Sequence, residues 1–111
     1  MNLAVQRAEF FKRDFAIRFA WHLDEAGPEV ARRFQAALDQ TLNKLASRPD
    51  LGRTRHFRSP RLQALRSLPV ERPFNKVLVL YRVDGDVLHA VRLMHGARDL
   101  PRRLAEPPAT E

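Results

Sequence analysis

The clearest pattern of apolar and polar positions lies near the end of the chain, where two apolar runs flank a short polar break. The runs are Val77–Val83 and Val87–Met94, and the break is Asp84-Gly85-Asp86. An Asp-Gly pair between such runs is typical of a β-hairpin, because glycine adopts positive φ at little steric cost. The pattern predicts two antiparallel strands, and the first, which is Val/Leu-rich without polar interruption from Val77 to Leu80, should be central or covered on both faces.

A first helix is predicted by apolar residues that recur at every fourth position after Ala8. The stripe continues for about 20 residues, as expected for an amphipathic helix, with charged residues between its members. These members are Phe11, Phe15, Phe19 and Leu23. Large side chains at this spacing form a core far more often than a ligand pocket, so we expect the stripe to be buried.

A second helix is predicted to begin directly after Gly27-Pro28. Glycine suits the left-handed position that ends a helix, and proline suits the first turn of the next one. Another apolar stripe then continues toward Ser47, through Val30, Phe34, Ala37, Leu38, Leu42 and Leu45. Two long helices with so short a connection should form an antiparallel helical hairpin.

Shorter elements complete the predicted fold. Leu3–Gln6 is a candidate edge strand, and Leu62–Val70 is a candidate strand before the hairpin. Asp99 is expected to cap a short helical turn that reaches Leu104. Together these elements predict one α+β domain over residues 1–104, with an N-terminal helical hairpin packed on a small antiparallel sheet. The proline-rich residues 105–111 are expected to form a mobile tail.

Composition changes this picture mainly through charge. The 111 residues suit a single domain, and the formal net charge is +7. So basic a chain favours an anionic partner, although scattered arginines are also compatible with a plain solubility charge. The chain has no cysteine, which excludes a disulfide, a cysteine-ligated zinc and a thiol nucleophile. Without a long apolar run or a signal pattern, we expect a cytoplasmic protein with no membrane partner.

The end of the chain also resembles a known family. Tyr81-Arg82-Val83, Val91-Arg92 and the ending 95–99, which reads HGARD, are similar to ParE-type toxins of the RelE/ParE superfamily of bacterial toxin–antitoxin modules. The resemblance implies inhibition of DNA gyrase by protein contact, which needs no catalytic residue, metal or cofactor. It also implies a ParD-like antitoxin whose acidic, amphipathic C-terminal segment folds on the toxin, giving a hetero-oligomer.

The other branch of the superfamily offers an alternative function. Toxins that resemble RelE cut messenger RNA on the ribosome, which requires a group to take the 2′-OH proton and cations for the phosphate. The residues for such a site would be His95, Arg92 and Arg82. That branch commonly carries an arginine in the strand that here reads Val77–Leu80, so the resemblance favours the gyrase branch.

Seven residues are candidates for partner contact. Some are expected to line an apolar groove beside the helices, and the others to form a basic surface. The seven residues are Trp21, Phe34, Arg66, Arg82, Arg92, His95 and Arg98. Arg92 has two interpretations, since an arginine in an otherwise apolar strand can contact an acidic partner or pair internally with a carboxylate such as Asp99. His89 and His95 share one face of the last strand but lack converging carboxylates, so no metal site is predicted.

Overall fold

The computed structural model describes residues 2–96 and 98–108, which form a five-stranded sheet with two long helices on one face. The elements are β1 (Ala4–Arg7), α1 (Glu9–Ala26), α2 (Pro28–Ser47), β2 (Arg53–Thr54), β3 (Arg66–Pro69), β4 (Val77–Asp84), β5 (Val87–His95) and α3 (Leu100–Ala105). The order across the sheet is β1-β5-β4-β3-β2. The predicted α+β fold, with a helical hairpin on a small sheet, is confirmed. Within the described ranges, no helix combines the length and apolarity needed to cross a membrane.

Strands β4 and β5 form the predicted hairpin in the middle of the sheet. Gly85 adopts φ of 62°, which lets the chain reverse within two residues. All residues of Val77–Tyr81 are buried, because alternate side chains face the two long helices while Leu78 and Leu80 face a second apolar cluster. The uninterrupted apolar run therefore reflects burial on both faces of the sheet.

Gly27 joins α1 to α2 without an intervening loop. Its φ of 92° lets its N–H donate to the carbonyl oxygens of His22 and Leu23, and Pro28 then begins α2. The predicted stripe of α2 is buried at Phe34, Ala37, Leu38, Leu42 and Leu45. The helical hairpin is thus formed as the sequence predicts.

The stripe of α1 is buried only at its beginning, which corrects the prediction. Phe11 has no exposed surface, Phe15 and Phe19 are half-buried, and Leu23 is 42% exposed. A helix turn holds 3.6 residues, so positions spaced by four rotate about 40° further round the helix at each step. By the last turn His22 has replaced Leu23 on the buried side, where it packs against Phe34.

Three strands differ in detail from the prediction. β1 is an edge strand as expected, but it runs parallel to β5, with Val5 opposite Leu88, so the sheet is mixed. β3 is shorter than the predicted range 62–70, because Pro60–Leu62 forms a 3₁₀ turn and Ala64 adopts a positive φ. The two-residue strand β2, which was not predicted, pairs with β3.

The second face of the sheet is covered by α3 and by the segment before β3. Their apolar side chains cluster with those of the central strands: Leu62, Leu65, Leu78, Leu80, Met94, Leu100 and Leu104. Asp99 occupies the N-cap position of α3, but its φ is 53° and its side chain makes no capping hydrogen bond, contrary to the prediction. Of the predicted tail, residue 105 ends α3 and residues 106–108 follow it, whereas residues 109–111 lie outside the described residues.

Candidate interaction groove

A groove of about 360 Å³ opens between α1, the end of β5 and the segment that follows α3, and we call it the α1–β5 groove. Helix α1 lines it with Asp14, Ile17, Arg18 and Trp21. The remaining lining residues are Val77, Arg92, Leu93, Met94, His95, Arg103, Glu106, Pro107 and Pro108. The groove therefore combines an apolar wall with four basic and two acidic side chains.

The base of the α1–β5 groove is a buried ion pair between Asp14 and Arg92. Arg92 Nε donates to Asp14 Oδ2 at 2.7 Å and its Nη2 donates to Oδ1 at 3.1 Å, with both side chains more than nine-tenths buried. The same carboxylate accepts the Leu93 N–H at 2.9 Å. The last residue of β1, Arg7, pairs with Ala90, so Asp14 provides an acceptor for a backbone N–H of β5 beyond the end of β1.

Arg92 also holds the end of α3. Its Nη1 donates to the carbonyl oxygen of Glu106 at 2.7 Å and lies 3.4 Å from those of Arg103 and Leu104. Carbonyls at a helix C-terminus lack intrahelical partners and carry the negative end of the dipole, which a guanidinium stabilises. The internal interpretation of Arg92 therefore accounts for its contacts, with Asp14 rather than Asp99 as the carboxylate.

A β-bulge explains why Arg92 reaches α3. Leu80 pairs with Arg92 and Tyr81 pairs with Ala90, so Val91 is an extra residue in β5. Strict alternation would have placed Arg92 in the row of Leu88 and Ala90, which faces the two long helices. The extra residue shifts the alternation, and Arg92 lies on the face that α3 covers.

Trp21 and Arg18 form the rim of the groove. The Arg18 guanidinium lies 4.1 Å from the centroid of the Trp21 ring, a close cation–π contact, and Trp21 is 47% exposed. Arg18 Nε is shielded from solvent and has no hydrogen-bond partner within the described ranges. Burial lowers the pKa of Arg18 accordingly.

Positive charges gather where β5 ends. Arg103 donates to the carbonyl oxygen of His95 at 2.9 Å, which fixes its guanidinium beside the strand. Desolvation lowers the pKa of His95, and three cations lower it further: Arg18, Lys76 and Arg103. Burial, Arg18 and His95 in turn lower the pKa of His22. Both imidazoles are therefore neutral at physiological pH.

The predicted contact residues divide between the groove and other places. Trp21, Arg92 and His95 line the groove, although Arg92 is only 4% exposed. Phe34 has no exposed surface and stacks against Phe15 with ring centroids 5.8 Å apart, so it has no surface to offer a partner in this fold, contrary to the prediction.

The other basic candidates lie away from the groove. Arg66 donates to the Gly52 carbonyl oxygen at 2.8 Å, and Arg82 donates to that of Arg61 at 3.0 Å. Arg98 is exposed in the turn before α3. All three keep part of their surface accessible, and their role in partner contact stays a prediction.

The three residues named for a nuclease site do not converge. His95 pairs with Val77 and Arg82 pairs with His89, so about 17 Å of strand separates His95 from Arg82 at roughly 3.3 Å per residue. Arg92 lies near His95, but its guanidinium forms an ion pair with the Asp14 carboxylate. Within residues 2–96 and 98–108, no group of histidine and acidic side chains is placed to hold a metal ion.

Sequence analysis missed Asp14, Arg18 and Arg103 as groove residues. A signal for the first two was present, because Asp14, Ile17, Arg18 and Trp21 are spaced by three, four and seven residues. That spacing defines one face of a helix, and this face differs from the aromatic stripe. Arg103 carries no such signal, since its place depends on how α3 packs.

Comparisons with known proteins identify a family by sequence and a related fold by structure. A family model described as the ParE toxin of the type II toxin–antitoxin system parDE matches residues 7–100. A solved chain of the chromosomal ParDE TA system from P. aeruginosa has a TM-score of 0.69 at 18% sequence identity, covering 86% of this chain and 97% of that chain. At this identity the second likeness concerns the fold. No curated protein sequence matches the chain.

Proposed function

The chain belongs to the ParE toxin family of type II toxin–antitoxin systems, and we propose on that basis that it inhibits DNA gyrase by protein contact in the cytoplasm. The observation that carries the proposal is the family match over residues 7–100, which includes both long helices and all five strands except the first part of β1. Inhibition by contact requires no cofactor and no catalytic group of the toxin.

A type II system implies an antitoxin, and we propose a ParD-like one with an acidic segment that orders on the toxin. The net charge of +7 favours an acidic partner, since complementary charge speeds association and excludes wrong partners. The half-exposed Trp21 beside Ile17 offers an apolar surface of the kind that an amphipathic segment buries. Toxin and antitoxin would form a hetero-oligomer.

The arrangement of the sheet favours contact over RNA cleavage. Cleavage of a phosphodiester needs cations that are free to meet the phosphate. Here Leu78, Leu80 and Met94 fill one face beneath α3, and the buried cation of β5, Arg92, is neutralised by Asp14. Both features support a toxin that acts through its surface.

Two assays in parallel test the target. Purified chain is added to DNA gyrase with relaxed plasmid, and separately to a reconstituted translation system that contains a defined messenger RNA. We expect supercoiling to fall with toxin dose, cleaved plasmid to accumulate after detergent and protease treatment, and the messenger to remain intact. Addition of the cognate antitoxin should restore supercoiling.

A heat-unfolded sample of the same chain is the matched control, because it has the same charge without the folded surface. If it inhibits gyrase equally, the effect is one of charge and the proposal fails. Cleavage of messenger RNA in translating ribosomes, with gyrase unaffected, would assign the chain to the nuclease alternative instead.

A further inference from the structure

Residues 51–70, which include β2 and β3, carry positive charge without any carboxylate of their own. Asp50 and Glu71 bracket this stretch, and Glu71 is already paired with Lys44 at 2.7 Å. Among the described residues, none of the arginines of the stretch forms an ion pair. These arginines are Arg53, Arg55, Arg58, Arg61 and Arg66.

Strand pairing places the first two of these arginines on the sheet face that α3 also covers. Arg53 pairs with Ser67, and Ser67 pairs with Leu80, whose side chain belongs to the second apolar cluster. Residues opposite each other in antiparallel strands point to the same face. Arg55 joins them there, because its Nε donates to Ser67 Oγ at 2.8 Å.

Three more arginines extend this positive surface. Arg82 follows Leu80 by two positions in β4 and therefore shares its face, and its Nη2 donates to the carbonyl oxygen of Arg61 at 3.0 Å. Arg58 and Arg61 are exposed in the segment that covers this face. We call the resulting surface at this side of the sheet the basic edge, and it consists of Arg53, Arg55, Arg58, Arg61 and Arg82.

The cations of the basic edge are crowded and incompletely satisfied. Burial and then the charge of Arg53 lower the pKa of Arg55. Arg82 Nε is shielded from solvent and has no acceptor in the part of the chain that the structure describes. An anion laid across these guanidiniums would reduce their mutual repulsion and supply oxygen acceptors.

We propose that the basic edge binds the phosphate backbone of duplex DNA. Its surroundings are polar, with Thr54 and His56 exposed among the arginines, which is typical of DNA-binding surfaces, whereas the core of a protein–protein interface is apolar and poor in charge. Phe57 packs inward against the second apolar cluster, so it offers no platform on which single-stranded bases could stack. The choice of DNA over an RNA duplex rests on the proposed function, because gyrase holds duplex DNA.

Fluorescence anisotropy of a labelled short DNA duplex of mixed sequence, titrated with the purified chain in the absence of gyrase, tests the proposal. With five phosphate contacts, the logarithm of the association constant should fall with the logarithm of the salt concentration at a slope of about −4.5. Duplex RNA, single-stranded RNA and poly-glutamate serve as unlabelled competitors. Displacement of the duplex DNA by any of these more readily than by unlabelled DNA would overturn the proposal.

Paired double variants separate the basic edge from net charge. Arg53→Gln with Arg58→Gln removes two exposed side chains, so the fold should be kept, as circular dichroism would verify. The slope should become about −2.7, and binding should weaken roughly 10- to 100-fold at about 0.1 M salt. The control is Arg32→Gln with Arg33→Gln, which removes the same charge from exposed positions of α2, on the other side of the sheet.

The control pair should bind the duplex almost as tightly as the parent chain. Equal weakening in the two double variants would mean that net charge alone attracts the DNA, which overturns the proposal. The proposed target is tested separately. A chain that binds the duplex through the basic edge but spares gyrase refutes only that target, and one that inhibits gyrase without binding the duplex refutes only the basic edge.

Discussion

At the scale of single residues, Tyr81 joins the central strand to the loop that follows α2. Its hydroxyl donates to the Pro49 carbonyl oxygen at 2.6 Å and accepts the Gly52 N–H at 2.9 Å, and its ring has no exposed surface. Gly52 is required by this close approach, because a Cβ there would overlap the Tyr81 ring. Burial raises the pKa of Tyr81, which keeps the phenol neutral.

Tyr81→Phe should reduce the free energy of unfolding by about 1–3 kcal/mol, because it removes the partner of the buried Gly52 N–H and of the partly buried Pro49 carbonyl oxygen. Chemical denaturation measures this loss. Val83→Thr, at an exposed position of the same strand, is the control and should change stability far less. Equal stability of Tyr81→Phe and the parent chain would mean that water replaces the hydroxyl.

The Asp14–Arg92 pair yields a sharper residue-scale prediction. Asp14→Asn leaves a buried guanidinium without its counter-charge, which should cost about 3–5 kcal/mol. The control is Asp39→Asn, which breaks the partly exposed pair between Arg7 and Asp39 at 3.1 Å and should cost about 0–1 kcal/mol. Similar losses in the two variants would show that burial does not set the cost of breaking the pair.

At the scale of elements, the helical hairpin depends on the backbone of one residue. Gly27 combines φ of 92° with ψ of 171°, a region that residues with a Cβ rarely adopt, and open space surrounds the position where a Cβ would lie. If a methyl group added there lowers the stability of the chain, the loss therefore comes from the strained backbone dihedral angles and not from a steric clash.

Gly27→Ala should destabilise the chain by about 1–3 kcal/mol, as judged by thermal or chemical unfolding. The matched control is Gly85→Asn in the β4–β5 turn, where φ is 62°, because asparagine tolerates the left-handed region. We expect the control to stay within about 1 kcal/mol of the parent chain. If both variants behave alike, the connection between α1 and α2 is less constrained than its dihedral angles indicate.

Sequence patterns predicted the elements whose signals are local. The hairpin and the helical hairpin follow from Gly85 and Gly27 with their neighbours, and both are confirmed. The groove could be predicted only in part, because Asp14 and Arg92 are 78 positions apart and nothing local pairs them. Strict alternation along β5 would have predicted the wrong face of the sheet for Arg92, because the bulge at Val91 shifts the alternation by one residue.

At the scale of the whole molecule, pH should control stability through histidines that the fold keeps neutral. His22 packs against the rings of Phe34 and Phe74 at 4.8 and 5.3 Å, and its pKa is lowered by burial, by Arg18 and by His95. The unfolded chain therefore binds more protons than the folded one as the pH falls through 6.5, the ordinary value for histidine. Stability should decrease with acidification over that range.

His22→Phe should make the loss of stability between about pH 7.5 and pH 5.5 smaller than in the parent chain, without removing it, since the pKa of His95 is also lowered. Denaturation midpoints across this pH range provide the measurement. His56→Gln, in an exposed loop, is the control. An identical pH slope in His22→Phe and the parent chain would assign the acid sensitivity to other groups.

The pairing of β1 with β5, and of Asp14 with Arg92, has a consequence for synthesis of the protein. A ribosome completes α1 long before it reaches β5, so the nascent N-terminal helix carries a carboxylate whose counter-ion has not yet been made. A product that terminates before β5 lacks the neighbour of its first strand as well. Aborted translation should therefore yield fragments that lack both of these contacts, and only a nearly full-length polypeptide is able to form the whole sheet and its buried ion pair.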